Sequence, residues 1–525
     1  MSNVVPATLA KDAYKAFHPL AYHPDVSEVY ANYINRSGRL SNIPTKINLG
    51  GVVNIGAQRF CMDFLIGEFN DTFFNLDEDV AIEQHARVFR AMLGRAFSDE
   101  RLRKLHKLGY LPLRLKTLPE GTITPYGVAN ITVRSTKSDF QWLTNSIETV
   151  LSCEVSGIST SCTTATAYLK TFIKYARLTG LDEEFCQFQG HDFSMRGMIF
   201  GRHGAYLSGL GHLASGLVGT DTMGSVLLAE KFYGANLETE LVGVSVDATE
   251  HSVTCSWIEE GEEEFCKYLM SKASPSGILS VVADTWDFEN FVCNIVPKLK
   301  EAIMARDGSF IIRPDSGCPV KVLTGYTSEE VSMDYRGKFY PLDDDGEVDY
   351  YSKALTQFEI DGLIETLWNQ FGGTLTDKGY KLLDEHIGAI YGDSITLERQ
   401  ELILQRLMDK GFASKVVLGI GSYTYQHVTR DTHGSAVKAT SMIKDGRRVA
   451  IFKDPKGDSS KKSAKGLLYV GRDENGVIHQ FDDVSEEHER EGLLETIFLD
   501  GKMVKTTTLK EIRALIMSQL QTQLK

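Results

Sequence analysis

The stretch FIIRPDSGCP, residues 310–319, decides how the rest of the chain is read. Phe310, Ile311 and Ile312 form an apolar run of buried-strand length. Arg313, Pro314, Asp315, Ser316 and Gly317 follow with turn chemistry. A buried strand that ends in a cation and a carboxylate presents both at the rim of a sheet or barrel, the edge where α/β folds bind ligands. An arginine can take a phosphate bidentately, and an aspartate can accept from sugar hydroxyls or hold Mg²⁺. By itself the segment equally admits a structural Arg–Asp pair that caps the strand.

Working outward, similar runs recur from about residue 185. The run 185–188 leads to Gly190, His191, Asp192, Phe193 and Arg196. Runs at 217–218, 241–246 and 279–283 lead to Asp221, to Asp247 and His251, and to Asp284. Runs at 387–391 and 416–418 lead to Gly392 and Asp393, and to Gly421 and Ser422. Helical patterns such as 289–305 and 398–410 separate several of them. Strands alternating with helices predict an α/β fold, an irregular (β/α) barrel over residues 151–425 with chemistry at its mouth. An open doubly wound sheet is the competing architecture.

Residues 1–150 mix helix and strand signals and are expected to form a second α+β domain, completed by 426–525. Residues 79–96 read as an amphipathic helix, and 116–126 as strand, turn, strand around Pro119, Glu120 and Gly121. Residues 142–151 are helix-like and lead into a run of small residues, 156–166. Tyr14 with His18, and Tyr30 with Tyr33, have helical spacing. This reads as a partly buried aromatic face, or as a route by which Tyr14 and Arg36 reach a site. The insertion 324–353, with Asp343, Asp344 and Asp345, lacks the alternating ligands of a calcium loop and reads as a solvated acidic hairpin or loop. Residues 441–452 read as a hairpin turning at Asp445 and Gly446. The basic segment after Lys453 reads as a solvated loop or as a phosphate grip. Thr508 and Glu511 have capping-box spacing and open a terminal helix with one apolar stripe, expected to dock on the body of the protein.

Bulk properties fit this picture. The chain has 525 residues, 42% hydrophobic and 24% charged, as in soluble multidomain proteins. A net charge of −14 argues against a nucleic-acid partner, so any site for an anion must gather its basic groups locally. The eight cysteines form no C-x-x-C pair, which indicates neither a zinc site nor a disulfide framework. No apolar run approaches the ~20 residues of a membrane span. MSNVVPATLAKDAYK has no signal-peptide core, so a cytoplasmic setting is the expectation.

Several stretches together resemble the nicotinate/nicotinamide phosphoribosyltransferase family, its nicotinamide-using members in particular. They are PEG (119–121), WLTNSIET (142–149), GHDFSMRG (190–197), GTDT (219–222), ATEHS (248–252), IIRPDSG (311–317), YGDSI (391–395), VTRD (428–431) and FKDP (452–455). Each alone is weak; their joint order covers nearly the whole chain. The resemblance implies that nicotinamide attacks C1 of 5-phosphoribosyl-1-pyrophosphate, giving nicotinamide mononucleotide and pyrophosphate in NAD salvage. It implies a homodimer with shared active sites, Mg²⁺, and ATP as a coupled co-substrate that phosphorylates His251. A buried histidine with satisfied partners is the plain alternative for His251.

By the same resemblance Arg196, His251 and Arg313 take the pyrophosphate side. Arg36, Lys453 and Lys461 are further phosphate contacts, expected from the partner subunit. Phe193 and Tyr14, the latter from a second subunit, sandwich the nicotinamide ring. Arg313 lies beside the ring, and Asp221 accepts from its amide. A carboxylate there repels nicotinate. Asp315, Gly392, Asp393, Gly421 and Ser422 serve the ribose, with Arg430 and Lys438 at the 5′-phosphate. Asp284 is expected to orient His251, and no metal ligands are assigned. The sequence departs from the family pattern at Ser422 and Tyr423, where glycines are usual, and at Ala436, where a phosphate-binding serine is common. The insertion 324–353 is longer than in the animal enzymes. Nicotinate phosphoribosyltransferase and a non-catalytic nucleotide-binding barrel are the alternatives.

Overall fold

The computed structural model describes residues 5–525, except residues 95, 200, 344, 349–351, 393 and 454–462. Two seven-stranded sheets organise it. One is antiparallel and takes strands from both chain ends. In spatial order they are Arg447–Ala450, Ser435–Lys444, Val26–Asn35, Ala129–Ser135, Leu113–Thr117, Glu495–Leu499 and Lys502–Met503.

The other sheet is parallel and curled. Its order is Gly219–Thr220, Gly190–Asp192, Val417–Ile420, Ile387–Tyr391, Phe310–Arg313, Leu279–Val282 and Asp247–Ala248. A parallel bridge from Gly219 to Val244 links one edge to the segment that feeds the other. The sheet is therefore an irregular (β/α) barrel. Its strands run two to five residues. The run 185–188 is itself helical, and the strand begins beyond it at Gly190. Likewise 241–246 leads into its strand, which is Asp247–Ala248. Cys186 and Val242 of these runs are buried, while Leu241 and Val246 stay exposed.

The helix Glu148–Thr179 packs against both sheets. Its small residues let Gly201–Ala214 come close: a Cβ on Gly211 would lie 2.8 Å from Ile158 O. The buried hydroxyls of Thr163 and Thr166 donate to Ser159 O and Cys162 O one turn back. Asp77 caps the helix Glu78–Leu93, which stops at Gly94 in a left-handed conformation.

The terminal helix Leu509–Gln523 has the capping box formed by Thr508 and Glu511 and buries Leu509, Ile512, Ile516 and Leu520 in the barrel core. Its Arg513 donates to Leu213 O, Leu241 O and Val242 O at 2.6–2.8 Å, gripping the segment that leads to Ser245. The insertion carries a hairpin of Val331–Met333 with Phe339–Pro341. Asp343 Oδ1 accepts from the backbone N–H of Asp345 and Glu347, which closes a turn; Asp344 lies outside the described residues. Among the described residues no helix is long and apolar enough to cross a membrane.

Candidate active site

At the carboxyl ends of the parallel strands, Asp192 ties two loops together. The side chain is fully buried. Its Oδ1 accepts from the backbone and hydroxyl of Ser194, and its Oδ2 accepts from the hydroxyls of Thr220 and Thr222. A buried carboxylate needs such donors. The effect is to hold the Phe193 loop against the Asp221 loop. Asp192 carries no ligand-binding signature in the sequence, because its partners lie up to 30 residues away.

Asp221 is half exposed. Its Oδ1 lies 3.0 Å from His191 Nε2 and accepts from Ser245 Oγ at 2.6 Å. Burial pushes its carboxyl up. The hydrogen bonds from His191 and Ser245, with the charges of His191 and Arg313, outweigh this and hold it below the usual aspartate range. The Phe193 ring packs on His191 with centroids 4.4 Å apart. It also covers Gly419, where a Cβ would come within 2.7 Å of the ring. An aromatic face, a charged acceptor and an arginine thus converge.

Arg313 donates to Thr249 O, while its Nε is buried with no hydrogen-bond partner. Asp315 Oδ2 is 3.9 Å from His251 Nε2. Gly392 leaves room for Asp315, since a Cβ there would collide with Oδ1. The expected Asp284–His251 contact is not formed. Asp284 Oδ2 accepts instead from the Asp315 backbone N–H at 3.0 Å, and His251 Nδ1 lies 3.2 Å from Thr285 Oγ1. Asp284 and Thr285 both lie beyond the strand Leu279–Val282. Gly421 precedes the short helix Ser422–Gln426, and Ser422 packs against Gly197 so closely that no Cβ would fit there. Tyr423 stacks on His427 with centroids 4.8 Å apart and stays exposed. Arg196 is exposed on the turn Met195–Gly197. Asp393 and Lys461 lie outside the described residues.

A second group gathers elsewhere on the chain. Lys438 is pushed below the ordinary lysine range, first by burial and then by the charges of Arg36, Lys453 and Arg430, against an opposing pull from Glu148. These four cations therefore form one cluster. Within one chain Arg430 and Lys438 lie near Arg36 and Lys453. The reason is the register of Ser435–Lys444 on Val26–Asn35, which pairs Lys438 with Asn32 and so brings Arg36, just beyond that strand, alongside. Arg36 Nε donates to Gly434 O at 2.9 Å. Ala436, in register with Ile34, is buried.

Beside the cluster opens a cavity of about 510 Å³, lined among others by Asp12, Tyr14, Glu148, Cys153 and Arg430. Tyr14 is 60% exposed, and Lys15 next to it is pinned to Glu148 at 2.5 Å. Among the described residues no hydrogen bond, ion pair or ring contact joins this group to the barrel-mouth group.

The comparisons agree with this architecture. The family model described as "Nicotinate phosphoribosyltransferase (NAPRTase) family" matches residues 188–501. A nicotinamide phosphoribosyltransferase of Acinetobacter baylyi is 43% identical over 98% of this chain and 97% of its own length. One from Mycoplasma pneumoniae is 30% identical, over 87% and 94%. The chain belongs to the nicotinate phosphoribosyltransferase family. Its fold is also that of the nicotinate-nucleotide pyrophosphorylase of Pyrococcus furiosus, with TM-score 0.56 and 15% identity over 99% of this chain and 97% of that one.

Proposed function

We propose that the protein is a nicotinamide phosphoribosyltransferase, a pentosyltransferase that makes nicotinamide mononucleotide and pyrophosphate from nicotinamide and 5-phosphoribosyl-1-pyrophosphate. The observation that carries this reading is the ionised, hydrogen-bonded Asp221 beside Phe193. A neutral amide can donate to that carboxylate, whereas a carboxylate-bearing ring meets it with like charge. In the reaction the ring nitrogen forms a bond to C1. The bond from C1 to the pyrophosphate oxygen breaks, and its electron pair leaves with pyrophosphate; no proton is transferred. The transition state has oxocarbenium character and a growing charge on the leaving group. Arg313, with its unpartnered Nε, and Arg196 favour that charge more than they favour the ground state.

Mg²⁺ fits the donors present. Asp284 Oδ1 is buried without a hydrogen-bond partner and Asp315 is its neighbour, so hard oxygen donors are available for a cation that keeps part of its water. Bound there, Mg²⁺ supplies charge neutralisation for the diphosphate. His251, with Nδ1 at Thr285, presents Nε2 toward Asp315; as the neutral imidazole it attacks the γ-phosphorus of ATP and releases ADP.

A second copy of the chain completes the site. Its exposed Tyr14 supplies the other face for the ring, and its Arg36, Arg430, Lys438 and Lys453 hold phosphate. This explains why one chain carries both groups without joining them.

The test is turnover of both bases with the activated ribose and Mg²⁺, read as pyrophosphate and nucleotide. The wild type is expected to prefer nicotinamide. Asp221→Ser is expected to lower kcat/KM for nicotinamide by about 10–100-fold, as loss of a charged hydrogen bond would, and to admit nicotinate. Full nicotinamide selectivity in that variant would refute the assignment.

A further inference from the structure

We infer that His191 and Ser245 are positioning residues that set base selectivity, by saturating one oxygen of Asp221 so that the other alone meets the incoming ring. The inference rests on the proposed function and deepens it.

Both donors point at the same atom. His191 Nε2 lies 3.0 Å from Asp221 Oδ1, and Ser245 Oγ lies 2.6 Å from that same Oδ1. A carboxylate oxygen offers two lone-pair directions, so these two donors occupy Oδ1. Oδ2 keeps its acceptor capacity, and the Asp221 side chain is 48% exposed toward the mouth. The proton of His191 therefore belongs on Nε2. The other ring nitrogen is packed against the neighbouring strand: a Cβ on Gly219 would come within 2.9 Å of Nδ1. His191 itself is 7% exposed and its ring lies against Phe193, so it has little freedom to turn.

The three elements that meet here are separate in sequence. His191 comes from Gly190–Asp192, Asp221 follows Gly219–Thr220, and Ser245 precedes Asp247–Ala248. Arg513 from the terminal helix secures the last of these through Leu241 O and Val242 O. The titratable and charged groups that face Asp221 are His191 and Arg313. Both favour the ionised form, as does the hydroxyl of Ser245.

This arrangement does two things. It fixes the rotation of the carboxylate, so the ring amide finds a single acceptor in a defined place. It also keeps that acceptor charged. Without the two donors the carboxylate is free to turn and its affinity for a proton rises. A protonated Asp221 can donate to the carboxylate of nicotinate, so the discrimination against that base fails.

The experiment compares kcat/KM for nicotinamide and for nicotinate between pH 5.5 and 8.5, in the wild type and in His191→Leu, His191→Gln and Ser245→Ala. Glutamine places an amide N–H near the position of the histidine Nε2–H, whereas leucine keeps bulk alone. In Leu and Ala variants the ratio of nicotinate to nicotinamide use is expected to rise about tenfold, the value of one good hydrogen bond, and to rise further as pH falls. In His191→Gln the ratio should stay near wild type. Protonation of the free bases is common to all four proteins and cancels in the comparison. A ratio unchanged in Ser245→Ala, whose exposed hydroxyl is removed without touching the core, would overturn the inference. Equal effects of Leu and Gln at position 191 would overturn it too, since they would reduce His191 to packing against Phe193. If the wild type turned over neither base, the failure would lie with the proposed function.

Discussion

The barrel mouth and the cationic cluster near the N-terminal segment solve opposite problems. At the mouth, polar groups are held by their neighbours: Asp221 by His191 and Ser245, Asp315 by Asp284, His251 by Thr285. In the cluster, burial first and the like charges of Arg36, Lys453 and Arg430 second lower the proton affinity of Lys438, against the pull of Glu148. In the proposed function the first region makes directional contacts with a ring and a sugar. The second holds like charges that a bound anion would relieve further than Glu148 does. A pocket for a phosphorylated sugar needs both properties, and the chain carries them apart.

That contrast can be broken at several points. The largest effect is expected from Arg313→Ala, which removes a cation that acts on Asp221 and that the proposed function sets against the leaving group. A loss of about 10³-fold in kcat/KM, ~4 kcal/mol, is in line with removal of one transition-state donor. Steady-state kinetics reads it, with kcat falling more than KM rises.

Lys438→Ala probes the other region. There an increase of about tenfold in KM for the phosphorylated substrate is expected, with kcat little changed, because the cluster binds ground state and transition state alike. The sign of its pH dependence follows from the lowered affinity of Lys438 for its proton. Charge needed for phosphate is lost as pH rises, and at a lower pH than an ordinary lysine allows. The wild-type KM should therefore climb early on the alkaline side, and Lys438→Ala should flatten that climb.

The smallest effect is expected from His251→Ala. ATP-stimulated turnover should disappear, while basal turnover persists within about tenfold, since the histidine acts beside the transfer step. Stimulation that survives in this variant would exclude a phosphohistidine.

Much of the fold was legible in the sequence for a simple reason. Barrel strands end in chemistry, and seven apolar runs each followed by polar residues gave their number and order. Their bounds were less legible. Gly190–Asp192 is buried throughout yet reads GHD, so its apolar signal comes from the helical run before it. The capping box at Thr508 is a local device and is readable as such, whereas the helix expected over 79–96 ends at Leu93, because Gly94 takes a left-handed conformation. Long-range pairings were not. Asp192, which binds two loops into one site, and the approach of Lys438 to Arg36 across two antiparallel strands depend on register, which no short window contains. The place beside His251 Nδ1 goes to Thr285, one residue past the Asp284 that the sequence points to, in a segment beyond the strand Leu279–Val282.

The most direct test of a divided site mixes two variants, Arg313→Ala and Arg430→Ala, each damaged in a different half. With the phosphorylated substrate held well below its KM, homodimers of either are expected to turn over slowly, since neither has an intact site. Unfolding and refolding them together should make half of the dimers mixed, each with one site free of both substitutions, so about a quarter of wild-type activity is expected to return. Recovery no greater than the sum of the two separate variants would contradict the account, because both halves would then belong to a site within a single chain.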